Sequence, residues 1–155
     1  MDEALSRVFE DSYRQVLDEI DCGELHIQEE QASAGGADFL CTVGPTGSLQ
    51  GYLVLSFSEP ELNSFSRHLN VKFEMGQTEV DKGFMRESIA ELANQLSGRS
   101  VMGLSGIGID CLITPPTVIS GKEVETSIPH LDEKRLWRIS TQAGTFNVAV
   151  LTKKR

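Results

Sequence analysis

The stretch Thr78–Gly98, TEVDKGFMRESIAELANQLSG, decides how the rest of the chain is read. Met85, Ile89, Leu92, Ala93 and Leu96 recur at three- and four-residue spacing, which puts one apolar stripe on an α-helix. Thr78 is the expected N-cap, with Asp81 three residues on to reach back towards it. Gly98 stands where a left-handed C-cap would end the helix. Glu87, Glu91 and Asn94 sit at i, i+4 and i+7, so at 3.6 residues per turn they project from one other face. A carboxylate and an amide one turn apart on a helix form a compact polar tool, and the remaining chain reads as the scaffold that presents it.

Working outward, residues 2 to 20 form a second amphipathic helix with Leu5, Val8, Phe9, Tyr13, Val16, Leu17 and Ile20 on its apolar face, Asp2 as its cap and Gly23 after its end. A short strand is expected over 24 to 29, and the small, glycine-rich 31 to 37 is a connection. Residues 39–43 and 50–57 are strands, joined by the turn Gly44-Pro45-Thr46-Gly47 into an antiparallel hairpin. A third helix starts at Ser58, which forms a capping-box pattern with Glu61. It carries Leu62, Phe65 and Leu69 in its stripe and ends near Asn70, before a short extended piece at 71 to 73. Beyond Gly98, the glycine-rich 103 to 108 is a turn and 109 to 113 a strand, which Pro115-Pro116 break. Residues 117 to 119 resume the extended chain, Gly121 turns it, 122 to 127 form another strand and 129 to 133 a polar connection. A closing hairpin pairs 135–140 with 145–151. Tight turns, not helical crossovers, join the strands. The fold class is therefore α+β, an antiparallel sheet with helices packed on one face, and residues 1–155 are expected to be a single domain.

Composition narrows the partners. A formal net charge of −9 and a pI near 4.8 disfavour nucleic acid and anionic membrane, both of which reward clustered Lys and Arg. The one basic cluster, Lys153 to Arg155, is a solvated tail. No segment approaches a membrane span, and the acidic, amphipathic start does not resemble a secretory signal. Cys22, Cys41 and Cys111, odd in number and widely spaced, read as reduced and buried in a cytoplasmic protein.

Several chemistries lack their residues. His26, His68 and His130 are scattered, with no zinc-ligand spacing, so no metal site is expected. No phosphate-binding loop or nucleophile elbow occurs, and Gly103, Gly106 and Gly108 fall in the wrong order for a dinucleotide turn. The chemistry left is Glu91 and Asn94, so a reaction would borrow groups from a partner.

The pair lies in SIAELANQLSG, and twenty residues lie between Asn94 and Pro115 in ITPPTVISGK. Together with GPTGSLQGYLVLSFSEPE and the terminal WRISTQAGTFNVAVLTKK, this order resembles the CheX-like branch of the CheC/CheX/FliY chemotaxis phosphatases. Their pattern is an acidic or hydroxyl residue, Glu four positions on, Asn three further, and then a proline. Here Glu87 stands where Asp or Ser is preferred, Pro115 and Pro116 fall slightly early, and one such motif is present, as in the single-site CheX type.

The resemblance implies that the substrate is the aspartyl phosphate of a CheY-type response regulator. Glu91 would pair with a regulator lysine and dock the helix. Asn94 would enter the phosphorylation site and hold the attacking water, Glu87 would add a partner contact, and Pro115 and Pro116 would shape the rim. The chain would need no cofactor of its own, with Mg2+ supplied by the regulator, and would form a homodimer by joining sheet edges. The hydrophobic strand 146–151 would be hazardous if unpaired, which suits such a dimer. The division of labour is physically sound. Phosphoryl transfer needs positioning and charge stabilisation rather than covalent work, and a neutral amide can orient water without adding negative charge. The alternative is a non-catalytic adaptor of the same fold, binding a response regulator or a flagellar-switch component. That reading gains if Glu91 or Asn94 turns inward.

Overall fold

A computed structural model describes residues 2–31, 37–124 and 133–153. Its helices are α1 (Glu3–Glu19), α2 (Glu59–Lys72) and α3 (Lys82–Ser105). Its strands are β1 (His26–Glu30), β2 (Ala37–Val43), β3 (Pro45–Gly47), β4 (Gly51–Phe57), β5 (Cys111–Ile113), β6 (Thr117–Val124), β7 (Glu133–Ser140) and β8 (Thr145–Thr152). Six strands form one antiparallel sheet in the order β1-β7-β8-β4-β2-β6. Both expected hairpins are present, β2 with β4 (Phe39 opposite Phe57) and β7 with β8 (Trp137 opposite Val148).

Alternation along the strands sends Trp137, Val148, Leu55 and Cys41 to one face, where they share a core with Tyr13 and Leu17 of α1, Leu62 and Phe65 of α2, and Ile89 and Leu92 of α3. Tyr13 meets Trp137 edge-on at 5.6 Å, joining α1 to β7. Phe146 stacks on Phe57 at 4.8 Å and meets Phe65 edge-on at 6.1 Å, joining α2 to the sheet centre. The helices therefore pack on one face, and α3 also lies against both other helices.

Local chemistry departs from the sequence reading at several ends. The cap of α3 is Asp81, whose carboxylate accepts from Phe84 N at 2.8 Å, so Thr78 lies outside the helix. Gly98 does not stop α3. The helix runs on to Ser105 and closes when Ile109 N donates to Leu104 O and Gly108 N to Ser105 O, with Gly108 at φ +84. The glycine-rich turn is thus confined to its last three residues.

Ser58 makes no side-chain cap, so no capping box forms. Asp38 accepts from Glu59 N at 2.8 Å, and Glu61 accepts from Thr145 N at 2.7 Å in the β7–β8 turn. An ionised acceptor makes a stronger bond than a hydroxyl, which accounts for the exchange. Helix α2 continues to Lys72, so the piece at 71 to 73 is its last turn, not extended chain.

The GPTG segment is more than a turn, since β3 pairs with β5 in a separate two-stranded sheet. β6 passes straight through Gly121. The terminal strand β8 is interior, held by β4 and β7, so the exposed-edge argument for a dimer does not apply to it; the sheet's edges are β1 and β6. The connection over 32–36, the expected strand end at 125–127, the polar connection at 129–132 and the tail residues 154–155 lie outside the described residues.

Candidate functional site

Helix α3 positions the site. Its inward residues Met85, Ile89, Leu92, Ala93 and Leu96 are each at most 3% exposed, which fixes how the helix is rotated against the sheet. The opposite face then necessarily carries Glu87, Glu91 and Asn94, and all three side chains are exposed. They span about 10 Å of helix axis, within about 60° of one another.

The Asn94 amide makes no hydrogen bond with any described residue, so its carbonyl oxygen and its N–H groups are both open to a visitor. Glu91 is steadied from its own helix, as Gln95 Nε2 donates to Glu91 Oε1 at 2.8 Å. Among the described residues neither Glu87 nor Glu91 has a cationic partner. The face therefore offers two unpaired carboxylates and one unengaged amide on a buried, capped helix.

The chain is tied down on both sides of Pro115 and Pro116. Pro115 is exposed and Pro116 half-buried in the link between β5 and β6, and both strands pack against α3. Before them, Thr114 N donates to Gly44 O at 2.9 Å and Gly44 N to Thr114 Oγ1 at 2.8 Å. After them, Arg86 of α3 donates to Val118 O at 3.2 Å and to the Ser120 hydroxyl. The prolines are thus held between the β3–β5 pair and α3.

On the other flank a groove of about 300 Å³ separates α3 from the end of α2. Phe73 and Met75 line one side of it, Glu87 and Glu91 the other. Sequence reasoning missed Phe73, Met75 and Gln95. Gln95 stands one turn from Glu91 and was recoverable from helix spacing. Phe73 read as the end of a short extended piece, and both apolar residues gain their position only through the packing of α2 on α3.

Elsewhere the titratable groups are structural. Cys22, Cys41 and Cys111 are free and buried, and burial pushes the Cys22 and Cys41 thiols up to about 11, so they stay protonated and unreactive at neutral pH. His68 Nε2 lies 2.6 Å from Ile20 O, tying α2 to the end of α1. Among the described residues no three His, Cys, Asp or Glu side chains converge as a metal ion would require, and no helix is long and apolar enough to cross a membrane.

Residues 39–139, which contain α3 and the proline link between β5 and β6, match the family described as chemotaxis phosphatase CheX. Over 84 residues the chain is 34% identical to the CheY-P phosphatase CheX of Thermotoga maritima, covering 54% of this chain and 52% of that protein, so the match spans about half the length of this curated relative. The fold superposes with a TM-score of 0.80 on a chain of the CheX-CheY-BeF3-Mg+2 complex from Borrelia burgdorferi, at 21% identity and covering 96% of this chain and 97% of that one. A CheC-like superfamily protein from Shewanella sp. PV-4 gives 0.79, also at 21% identity, with 99% and 100% covered. With the family's sequence pattern running through the helix that bears Glu91 and Asn94, and its fold reproduced around them, the chain belongs to the chemotaxis phosphatase CheX family.

Proposed function

We propose that this chain hydrolyses the aspartyl phosphate of a CheY-type response regulator in chemotaxis signalling. The observation that carries the reading is the exposed, unengaged amide of Asn94, one turn from an unpaired Glu91 on a helix whose orientation the core fixes. In this reading Glu91 pairs with a regulator lysine, Glu87 adds a contact, and Asn94 enters the phosphorylation site. There the amide orients water in line with phosphorus. Water oxygen bonds to phosphorus, the bond from phosphorus to the aspartyl oxygen breaks, and inorganic phosphate leaves a free carboxylate. In this reading the regulator supplies the Mg2+ that neutralises the developing charge.

The named activity of the Thermotoga relative and the CheY present in the Borrelia complex support the choice of substrate. The proposal places the chain in the cytoplasm as a single domain. It includes a homodimer, for which β1 or β6 supplies the sheet edge. The adaptor reading would gain from an inward Glu91 or Asn94, and both are exposed.

The test is the lifetime of the phosphorylated receiver domain of a CheY-type regulator, with the chain added at substoichiometric amount. A phosphatase shortens that lifetime and turns over. An adaptor binds and leaves the decay unchanged, and that result would retire the proposal.

A further inference from the structure

The groove between α2 and α3 is lined by residues held more tightly than a loop between helices needs. Helix α2 ends with Met75 N donating to Asn70 O at 3.1 Å and Glu74 N to Val71 O at 3.4 Å. This closure places Glu74 at φ +48, a left-handed conformation that costs a non-glycine residue roughly 1 kcal/mol or more. Two further bonds clamp the segment, since Asn70 Nδ2 donates to Gln77 O at 2.8 Å and Gln77 N donates to Asn70 Oδ1 at 3.1 Å. The result is that Phe73 and Met75, 47% and 45% exposed, are fixed at the groove's mouth with much of their apolar surface in water. Across from them stand Glu87 and Glu91, without a cation among the described residues.

We propose that this groove is the specificity surface for the response regulator. It receives an apolar side chain of the regulator against Phe73 and Met75, while a neighbouring lysine or arginine meets Glu87 and Glu91. The inference rests on the phosphatase reading and deepens it. Continuity argues for this occupant, because Glu91 both lines the groove and stands one turn from Asn94; a partner reached by the amide must also cover the groove. Charge complementarity argues for it too, since an apolar surface flanked by two carboxylates selects an apolar group flanked by a cation.

The experiment compares wild type, the double variant Phe73→Ser/Met75→Ser, and Val71→Ser. The probe is the receiver domain of a CheY-type regulator phosphorylated with acetyl phosphate. The double variant should raise KM about tenfold or more with kcat within about twofold, because the groove binds but does not touch the reacting atoms. Val71 is 78% exposed on the same helix end but does not line the groove, and its change should leave KM unaltered. A KM within about twofold of wild type for the double variant overturns the proposal, as does an equal rise for Val71→Ser. A double variant that instead shifts the sedimentation of the chain alone, with KM unchanged, makes the groove a contact between copies and also overturns it. If wild type does not accelerate decay, the phosphatase reading has failed separately. Titration with the phosphorylated receiver domain then still reads the groove, through a Kd weakened about tenfold in the double variant.

Discussion

Replacing Gly98 by alanine tests the fold and the site together. Gly98 lies inside α3, and a Cβ built there meets nothing within 4 Å, so no internal contact requires glycine. Glycine in a helix interior costs about 0.8–1.0 kcal/mol relative to alanine, and Gly98→Ala should recover about that amount. For a chain of this size 1 kcal/mol corresponds to about 2–4 °C in Tm, or to roughly 0.3–1 M in urea midpoint. The new methyl would lie about 40° round and about 6 Å along the axis from Asn94, on the face proposed to meet the partner. A methyl forced into a packed contact costs about 1–3 kcal/mol, so kcat/KM on the phosphorylated regulator should fall about fivefold or more. The assays are urea unfolding followed by circular dichroism and the dephosphorylation rate. Unchanged or lower stability would refute a helix that runs through this position. Higher stability with undiminished activity would refute close approach of the partner over this turn.

Other perturbations probe separate links. Glu91→Ala should raise KM for the regulator and flatten its rise with salt, and Glu91→Lys should be worse; KM rising with salt as steeply in Glu91→Ala as in wild type would remove the ion pair. Asp81→Ala removes the acceptor for Phe84 N and should cost about 1 kcal/mol in urea unfolding, whereas Thr78→Ala should cost nearly nothing. The Lys72 hydrogen bond and charge hold the Asp21 carboxyl below its usual range. A depressed carboxylate contributes stability above its unfolded pKa, and that contribution is lost as pH falls through the folded value. The stability difference between wild type and Lys72→Met should therefore be full at neutral pH and vanish in acid, as urea midpoints across pH would record.

What was legible in the sequence was what periodicity encodes. The α3 stripe, the outward face bearing Glu87, Glu91 and Asn94, and both hairpins follow from spacing of 3.6 and 2, which burial enforces. The misread ends depend on partners distant in sequence. Asp38 caps α2 from 21 residues away, β3 finds β5 beyond two helices, and the loop 73–77 becomes one wall of a groove only beside α3. Glycine was read as a breaker too readily. At Gly103 a Cβ would sit 2.8 Å from Val8 Cγ1, so that glycine lets α1 and α3 touch instead of ending α3. The Glu91–Asn94 pair was legible as a motif, while the bond from Gln95 to Glu91 and the open amide of Asn94 emerge only from the folded helix.

The most direct measurement is the single-turnover rate of regulator dephosphorylation by Asn94→Ala, at saturating concentration of the chain. Loss of the amide that orients water should slow the step about tenfold or more, at about 1.4 kcal/mol per decade, with affinity for the regulator unchanged. A rate equal to that of wild type would contradict the assignment of Asn94 as the residue that positions water at the phosphorylated aspartate.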